Sequence, residues 1–277
     1  MSWNWFLSLG YGLLSGITTF MPVSPQAHQI IFSKLTGIEN HFNGFNLLCR
    51  IAAIAALLIA FNTQFKRFRR EQRIASLPAK RRKRTPDLGT MQDLRFLKMA
   101  AIISVPIYLC SGYLMRFGNR LWLLALSFLA GGILLYIPQF VRRGNKSSLN
   151  VSGLDGLLTG LGCGLGAFPG FSGIGGALSI GSMRGLDGSY CVDMSVLVYF
   201  PALLVLLLLD GIGIVTAGIS LSVLIVIYYV LAAAAAFAGA YLSIIFLRFL
   251  AVKIGFTGFA YYCWGAAIFT FVLFLMI

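Results

Sequence analysis

Charge is what this sequence has least of. Asp, Glu, Lys and Arg make up 11% of its 277 residues against 58% hydrophobic ones, and the mean hydropathy of +0.86 lies far outside the balance of a water-soluble domain. The shortage excludes a soluble globular fold and predicts an all-α polytopic membrane protein. The five cysteines, Cys49, Cys110, Cys163, Cys191 and Cys263, have no C-x-x-C spacing and no histidine partner. They therefore read as small buried apolar side chains rather than zinc ligands or disulfides. The first apolar stretch lacks the basic flank and small-residue cleavage site of a secretory signal, so it is expected to stay in the protein.

The charge that is present is concentrated. Twelve of the 22 basic residues (Lys66, Arg67, Arg69, Arg70, Arg73, Lys80, Arg81, Arg82, Lys83, Arg84, Arg95 and Lys98) fall in one segment, against Glu71, Asp87 and Asp93. By the positive-inside rule this loop, 62–98, belongs on the cytoplasmic side. No interleaved aromatic platform or recognisable module supports nucleic-acid binding. Contact with anionic lipid headgroups is the expected secondary role.

A crossing needs ~20 mostly apolar residues. Six stretches qualify: Phe45 to Phe61, Met99 to Phe117, Leu121 to Phe140, Met194 to Leu209, Leu221 to Leu247 and Phe256 to Ile277. With the basic loop inside, the chain turns inside again near Arg142, Arg143 and Lys146, and near Arg248 and Lys253. The connection from Asp210 to Gly218 has no Lys or Arg and is expected outside, as are both termini. The whole chain, 1–277, reads as one membrane domain: first hairpin and span over 1–61, basic loop 62–98, two spans over 99–140, second hairpin and span over 154–209, and two last spans over 221–277.

Two apolar regions resist assignment as spans. Pro22 and Pro25 break Trp3 to Lys34; a glycine series and Pro169 break Leu154 to Met183. Breaks of this kind expose backbone groups that hydrocarbon cannot satisfy, so both regions are expected to be re-entrant helix-loop-helix hairpins, the first entering from outside and the second from inside. They also resemble each other. Gly12-Leu-Leu-Ser-Gly16 with Phe20-Met-Pro22-Val-Ser24 echoes Gly156-Leu-Leu-Thr-Gly160 with Phe168-Pro169-Gly-Phe-Ser172. With opposite entry sides this describes an inverted-topology duplication, whose broken helices offer N-termini to an anion near the midplane.

At these residues the chain resembles the bacterial undecaprenyl-diphosphatase, or bacitracin-resistance, family. Gly16 to Ser24 is similar to the family's E-G-x-T-E-F-L-P-V-S, His28 falls on the histidine of its S-S-x-G-H, and Pro169-Gly-Phe-Ser172 matches the start of its P-G-x-S-R-S. Ser104-Val-Pro106 resembles its alanine-valine-proline helix. The resemblance implies six spans, two re-entrant hairpins, a site opening outward, a bacterial cytoplasmic membrane, and release of phosphate from undecaprenyl diphosphate. It also implies a substrate site of Ser15, Thr19, Ser24, His28, Gly170, Ser172 and Gly173, with His28 and Ser24 as the catalytic pair of an active enzyme.

The departures are chemical. Ser15 and Thr19 stand where the family has two glutamates, and Gly173 stands where it has an arginine. Hydroxyls neither hold a hard divalent cation well nor act as a general base at neutral pH, so no metal cofactor is expected here, although Mg or Ca is a cofactor implied for family members. Losing one charge-stabilising group typically costs about 100- to 1000-fold in rate. The expectation is thus a catalytically impaired relative that binds undecaprenyl phosphate or diphosphate and acts in carrier binding or translocation. The alternatives are an active phosphatase and a non-catalytic regulatory partner; a homodimer is left open. Arg50 is either a snorkelling interface residue or the phosphate ligand that replaces the missing arginine. No nearby acid is an evident mate, since Glu39 lies in the preceding polar loop. Ser24 and Ser172 are also candidates for helix caps, Arg184 for the inner interface, and Ala232 to Ala236 for close helix packing.

Overall fold

A computed structural model describes residues 3–37, 42–115, 120–142, 144–217, 222–253 and 256–276. The described chain is helical: α1 Trp5–Phe20, α2 Pro25–Thr36, α3 Phe42–Ala60, α4 Asn62–Ser76, α5 Leu88–Leu109, α6 Ser111–Leu114, α7 Leu121–Tyr136, α8 Gly153–Leu165, α9 Gly173–Met183, α10 Gly188–Ala217, α11 Val223–Lys253 and α12 Thr257–Met276. Phe117, Leu221 and Ile277, three of the expected span ends, lie outside the described residues, as do Glu39 and Arg143. Five helices, α3, α7, α10, α11 and α12, are long and apolar enough to cross a membrane.

The sixth expected span differs. Helix α5 begins eleven positions before Met99 because Asp87 caps it, its carboxylate accepting the Thr90 N–H at 2.9 Å. Asp93, Arg95 and Lys98 therefore ride on the same helix as the apolar half, which ends just beyond Pro106. The expected basic loop is likewise mostly helical. Its first part is α4, which buries Phe68 and Glu71 and leaves most of its basic side chains outside. Helix α10 also overruns its expected end at Leu209 and continues to Ala217. Asp210 is accommodated inside it because an arginine neutralises it there.

The hairpins are present as helix pairs, α1 with α2 and α8 with α9. Even the longest of these, α1 with 16 residues, spans only about 24 Å, short of a hydrocarbon core of about 30 Å. Their docking follows the small-residue pattern that lets helix backbones approach. A Cβ at Gly12 would sit 2.1 Å from the Ala232 carbonyl oxygen, and one at Gly16 would sit 2.2 Å from that of Ala236. A Cβ at Gly156 would lie 2.5 Å from the Phe96 oxygen, and one at Gly160 would lie 2.3 Å from the Ala100 oxygen. The weak repeat in the sequence is thus a repeat in packing: α1 seats on α11, and α8 seats on α5. Each hairpin belongs to one half of the chain and rests on a helix of the other.

Four cysteines are buried as expected; Cys110 is exposed at the end of α5, and all five are free thiols.

Candidate functional site

The two hairpin tips meet. Ser24 is the N-cap of α2 and Ser172 the N-cap of α9, positions where a hydroxyl satisfies an N–H the helix cannot. Ser24 Oγ accepts from Ala27 N–H at 3.3 Å and from Gly170 N–H of the other tip at 3.1 Å. Ser172 Oγ accepts from Gly175 N–H at 3.0 Å and donates to the Met21 carbonyl of the first tip at 3.3 Å. Gly170 has φ 99°, a backbone state open mainly to glycine, and this directs its N–H across the seam. Ser24, Gly170 and Ser172, expected around substrate, join the two hairpins.

His28 lies one turn beyond Ser24. Its Nδ1 is 2.6 Å from the Ser24 carbonyl oxygen, which can only accept, so Nδ1 carries the proton. In the neutral ring Nε2 then accepts from the Tyr262 hydroxyl at 2.6 Å. The ring stacks on Tyr262 and meets the edge of Phe128. It faces α7 and α12 rather than Arg50.

A cleft forms on the other face of α2. Ser15, Thr19, Pro25, Gln26, Gln29, Asn46, Arg50, Tyr199, Leu203 and Leu206 line it, and its volume of ≈ 10 Å³ admits about one water. Ser15 Oγ accepts from Gln29 Nε2 at 3.2 Å, and the Thr19 hydroxyl donates to the Ser15 carbonyl at 2.6 Å. Asn46 Oδ1 accepts the Tyr11 hydroxyl. The buried Gln26 Oε1 has no partner among the described residues. Arg50 Nε donates to Asp210 Oδ2 at 2.7 Å. The mate that Arg50 lacked in the nearby sequence is therefore on α10.

The structure brings Ser15, Thr19 and Arg50 together, places Ser24, Gly170 and Ser172 at the tips, and sets His28 apart. Gly173 is covered: a Cβ there would meet the Tyr108 hydroxyl at 2.5 Å and the Tyr199 ring at 2.9 Å, so these tyrosines fill the space beside it. Gln26, Gln29, Asn46, Tyr199 and Asp210 were not anticipated. The spacing of Gln26 and Gln29, and of Asn46 and Arg50, puts each pair on one helix face, a signal that was available.

A divalent cation does not fit this lining. Mg and Ca need several oxygen ligands, carboxylates foremost; the lining has none, its one full charge is a guanidinium, and neighbouring Asp210 is bonded to it.

The buried acids elsewhere, Glu71, Asp93 and Asp155, are each engaged by basic partners. At the basic end a cavity of ≈ 360 Å³ between α4, α5 and α10 is lined by Arg67, Asp93, Ser148, Tyr190 and Asp193 among others. Asp93 accepts there from Arg67, Ser148 and Tyr190, while Asp193 accepts from Arg248 Nε of α11 at 2.7 Å. Arg184 and Lys146 both bond Asp155, the capping-box residue of α8. Glu71 accepts from Arg84 at 2.5 Å, from the Asp87 N–H at 3.0 Å and from Arg70 at 3.0 Å; these donors, Arg84 first, hold its carboxyl at about 2 instead of 4.5.

Broken hairpins joined at their tips, long apolar helices around them, and a cation-bearing cleft beside one tip define a class: an integral membrane protein built as a duplication around an interior polar site. Comparison with known proteins narrows the class. The model of the family "Bacitracin resistance protein BacA" matches residues 8–269, and the chain belongs to that family. It is 30% identical over 268 residues to undecaprenyl-diphosphatase 1 of Shouchella clausii, covering 94% of this chain and 93% of the relative. It is 26% identical over 265 residues to the undecaprenyl-diphosphatase of Carboxydothermus hydrogenoformans, with 94% of each covered, and 26% identical over 268 residues to that of Methanobrevibacter smithii, again with 94% of each covered.

Proposed function

We propose that this protein binds the phosphate headgroup of a polyprenyl carrier, undecaprenyl phosphate or diphosphate, in the Arg50 cleft, and that it hydrolyses the diphosphate poorly. The observation that carries the reading is the lining itself, with one fixed cation, amide groups and no carboxylate. Such a set holds a phosphoryl group through charge-assisted hydrogen bonds. It supplies neither a metal nor a general base for cleaving an anhydride. The names of the relatives support the headgroup, and the long apolar helices support lipid as its source. At ≈ 10 Å³ the cleft takes about one water, so this reading requires it to widen when a phosphoryl group binds.

In this reading the protein lies in the bacterial cytoplasmic membrane with α4 and the start of α5 on the cytoplasmic side, and the N-terminal half of α3, which includes Asn46 and Arg50, faces outward. The hairpins enter from opposite sides, an arrangement that also supports passage of the headgroup between leaflets.

The test is purified protein in detergent with undecaprenyl diphosphate, assayed for phosphate release and, by native mass spectrometry, for retained lipid. Retention with little release, unaffected by Mg or Ca, is expected. Arg50→Ala should weaken retention by roughly 10- to 100-fold, the worth of charged hydrogen bonds. Robust metal-dependent turnover would overturn the reading in favour of an active phosphatase.

A further inference from the structure

Arg50 and Asp210 meet through a single bond. Arg50 Nε donates to Asp210 Oδ2, with the two side chains only 13% and 15% exposed. Among the described residues the two terminal guanidinium nitrogens make no hydrogen bond to protein. An arginine that meets a carboxylate frequently engages it through two parallel N–H groups; here the fork is left open, and Arg50 lines the cleft while Asp210 does not. Asn46, one turn earlier on α3, is held in the same manner. The Tyr11 hydroxyl takes its Oδ1, so Nδ2 is its open end, and Tyr11 also stands outside the lining. Both polar donors that α3 contributes to the cleft are thus anchored by a group behind them.

We infer that Asp210 is a positioning residue, which fixes the Arg50 guanidinium through Nε and keeps its terminal nitrogens open for a phosphoryl group. The inference rests on the proposed reading of the cleft as a phosphate site. Charge and geometry oppose each other in this role. As an anion, Asp210 lowers the attraction of Arg50 for phosphate; as an anchor, it spares a long flexible side chain the entropy of being ordered on binding. For this role the anchor, a 2.7 Å bond in a buried setting, has to outweigh the charge, and the affinity of Asp210→Ala decides it.

The experiment separates the two effects. Full-length protein in detergent is titrated with a short-chain polyprenyl monophosphate, and its melting temperature is recorded alongside. Asp210→Ala, which removes anchor and charge together, is expected to weaken affinity roughly tenfold. Asp210→Asn keeps an oxygen at the same place and should restore affinity to within about threefold of the unsubstituted protein. Asp210→Glu keeps the charge but moves the acceptor by one methylene, and should weaken affinity by about three- to tenfold. It carries the test if Asp210→Ala does not fold. In an Arg50→Lys background, Asp210→Ala should produce no further loss, because an ammonium has no fork to orient. Affinity in Asp210→Ala equal to or above that of the unsubstituted protein overturns the inference, as does unchanged affinity in Asp210→Glu. If Arg50→Ala abolishes binding while these variants bind normally, the phosphate site stands and the positioning role falls. If the unsubstituted protein binds no polyprenyl phosphate, both fall.

Discussion

In the first hairpin Gly12 and Gly16 press α1 onto Ala232 and Ala236, and α2 then turns Gln26 and Gln29 towards Arg50; in the second, Gly156 and Gly160 press α8 onto Phe96 and Ala100, but the start of α9 is roofed by Tyr108 and Tyr199. The docking is the same and the use is different. Backbone-to-backbone approach tolerates almost no change, since any added atom meets a carbonyl, so it persists in both halves. The faces that look inward carry no such constraint. One half keeps a polar cleft; in the other the space beside Gly173 is filled by Tyr108 and Tyr199, the latter also lining the cleft. A duplicated membrane fold can hold its scaffold fixed while its two halves part in chemistry.

The largest effect is expected from breaking the shared part. Gly16→Val and Gly160→Val should each abolish monodisperse folded protein, because their Cβ atoms would lie 2.2 and 2.3 Å from carbonyl oxygens that cannot move aside. Gly10→Ala, with nothing within 4 Å, should behave as the unsubstituted protein in size-exclusion chromatography. Collapse of only one valine variant would show that the hairpins are not equivalent in docking.

The differing part is probed next. Gly173→Arg should destabilise by about 1–3 kcal/mol through overpacking against Tyr108 and Tyr199. Combined with Tyr108→Ala, it should be less destabilising than the sum of the single changes, a coupling that thermal unfolding in detergent measures by a double-mutant cycle. Additive effects would mean that the tyrosine does not fill the place beside Gly173.

Smaller and more symmetric effects belong to the seam. Ser24→Ala and Ser172→Ala each remove a cap and a bond to the opposite tip, so each should lower stability by about 1–2 kcal/mol. A large difference between their melting temperatures would show that one tip dominates the junction.

The smallest effect lies far from both hairpins. Glu71, held at about 2 by Arg84, the Asp87 N–H and Arg70, is more acidic folded than unfolded. Its contribution is complete above its ordinary value of 4.5 and is lost as pH falls towards 2. Proteolytic nicking between Leu77 and Pro86 should therefore rise over that acidic window in the unsubstituted protein, and the dependence should flatten in Glu71→Gln.

Much of this was readable in advance. Composition and the Gly and Pro breaks located the long helices and both hairpins, and the spacing of Gly12 with Gly16 and of Gly156 with Gly160 marked the docking faces. The reading failed where it took charge as a sign of loop: α4 and the first turns of α5 are helices whose Glu71 and Asp93 are buried against basic partners. It also failed where partners are distant in sequence. Asp210 was assigned to a connection because it follows an apolar run, although it pairs with a residue 160 positions away. His28 was expected in one site with Ser15 and Thr19, yet on a helix it points about 100° away from Gln29, which is enough to face Tyr262 instead of the cleft.

The two arginine pairs on α10 have a mechanical meaning. Asp193 near one end is held by Arg248 of α11, and Asp210 near the other is held by Arg50 of α3. By helix rise the two acids lie about 25 Å apart, several ångströms less than a hydrocarbon core of about 30 Å. A rod tethered near both ends to different neighbours can tilt or rotate with them, but sliding along its own axis would break both ion pairs. Helix α10 is thereby held in register with α3 at one level and with α11 at the other.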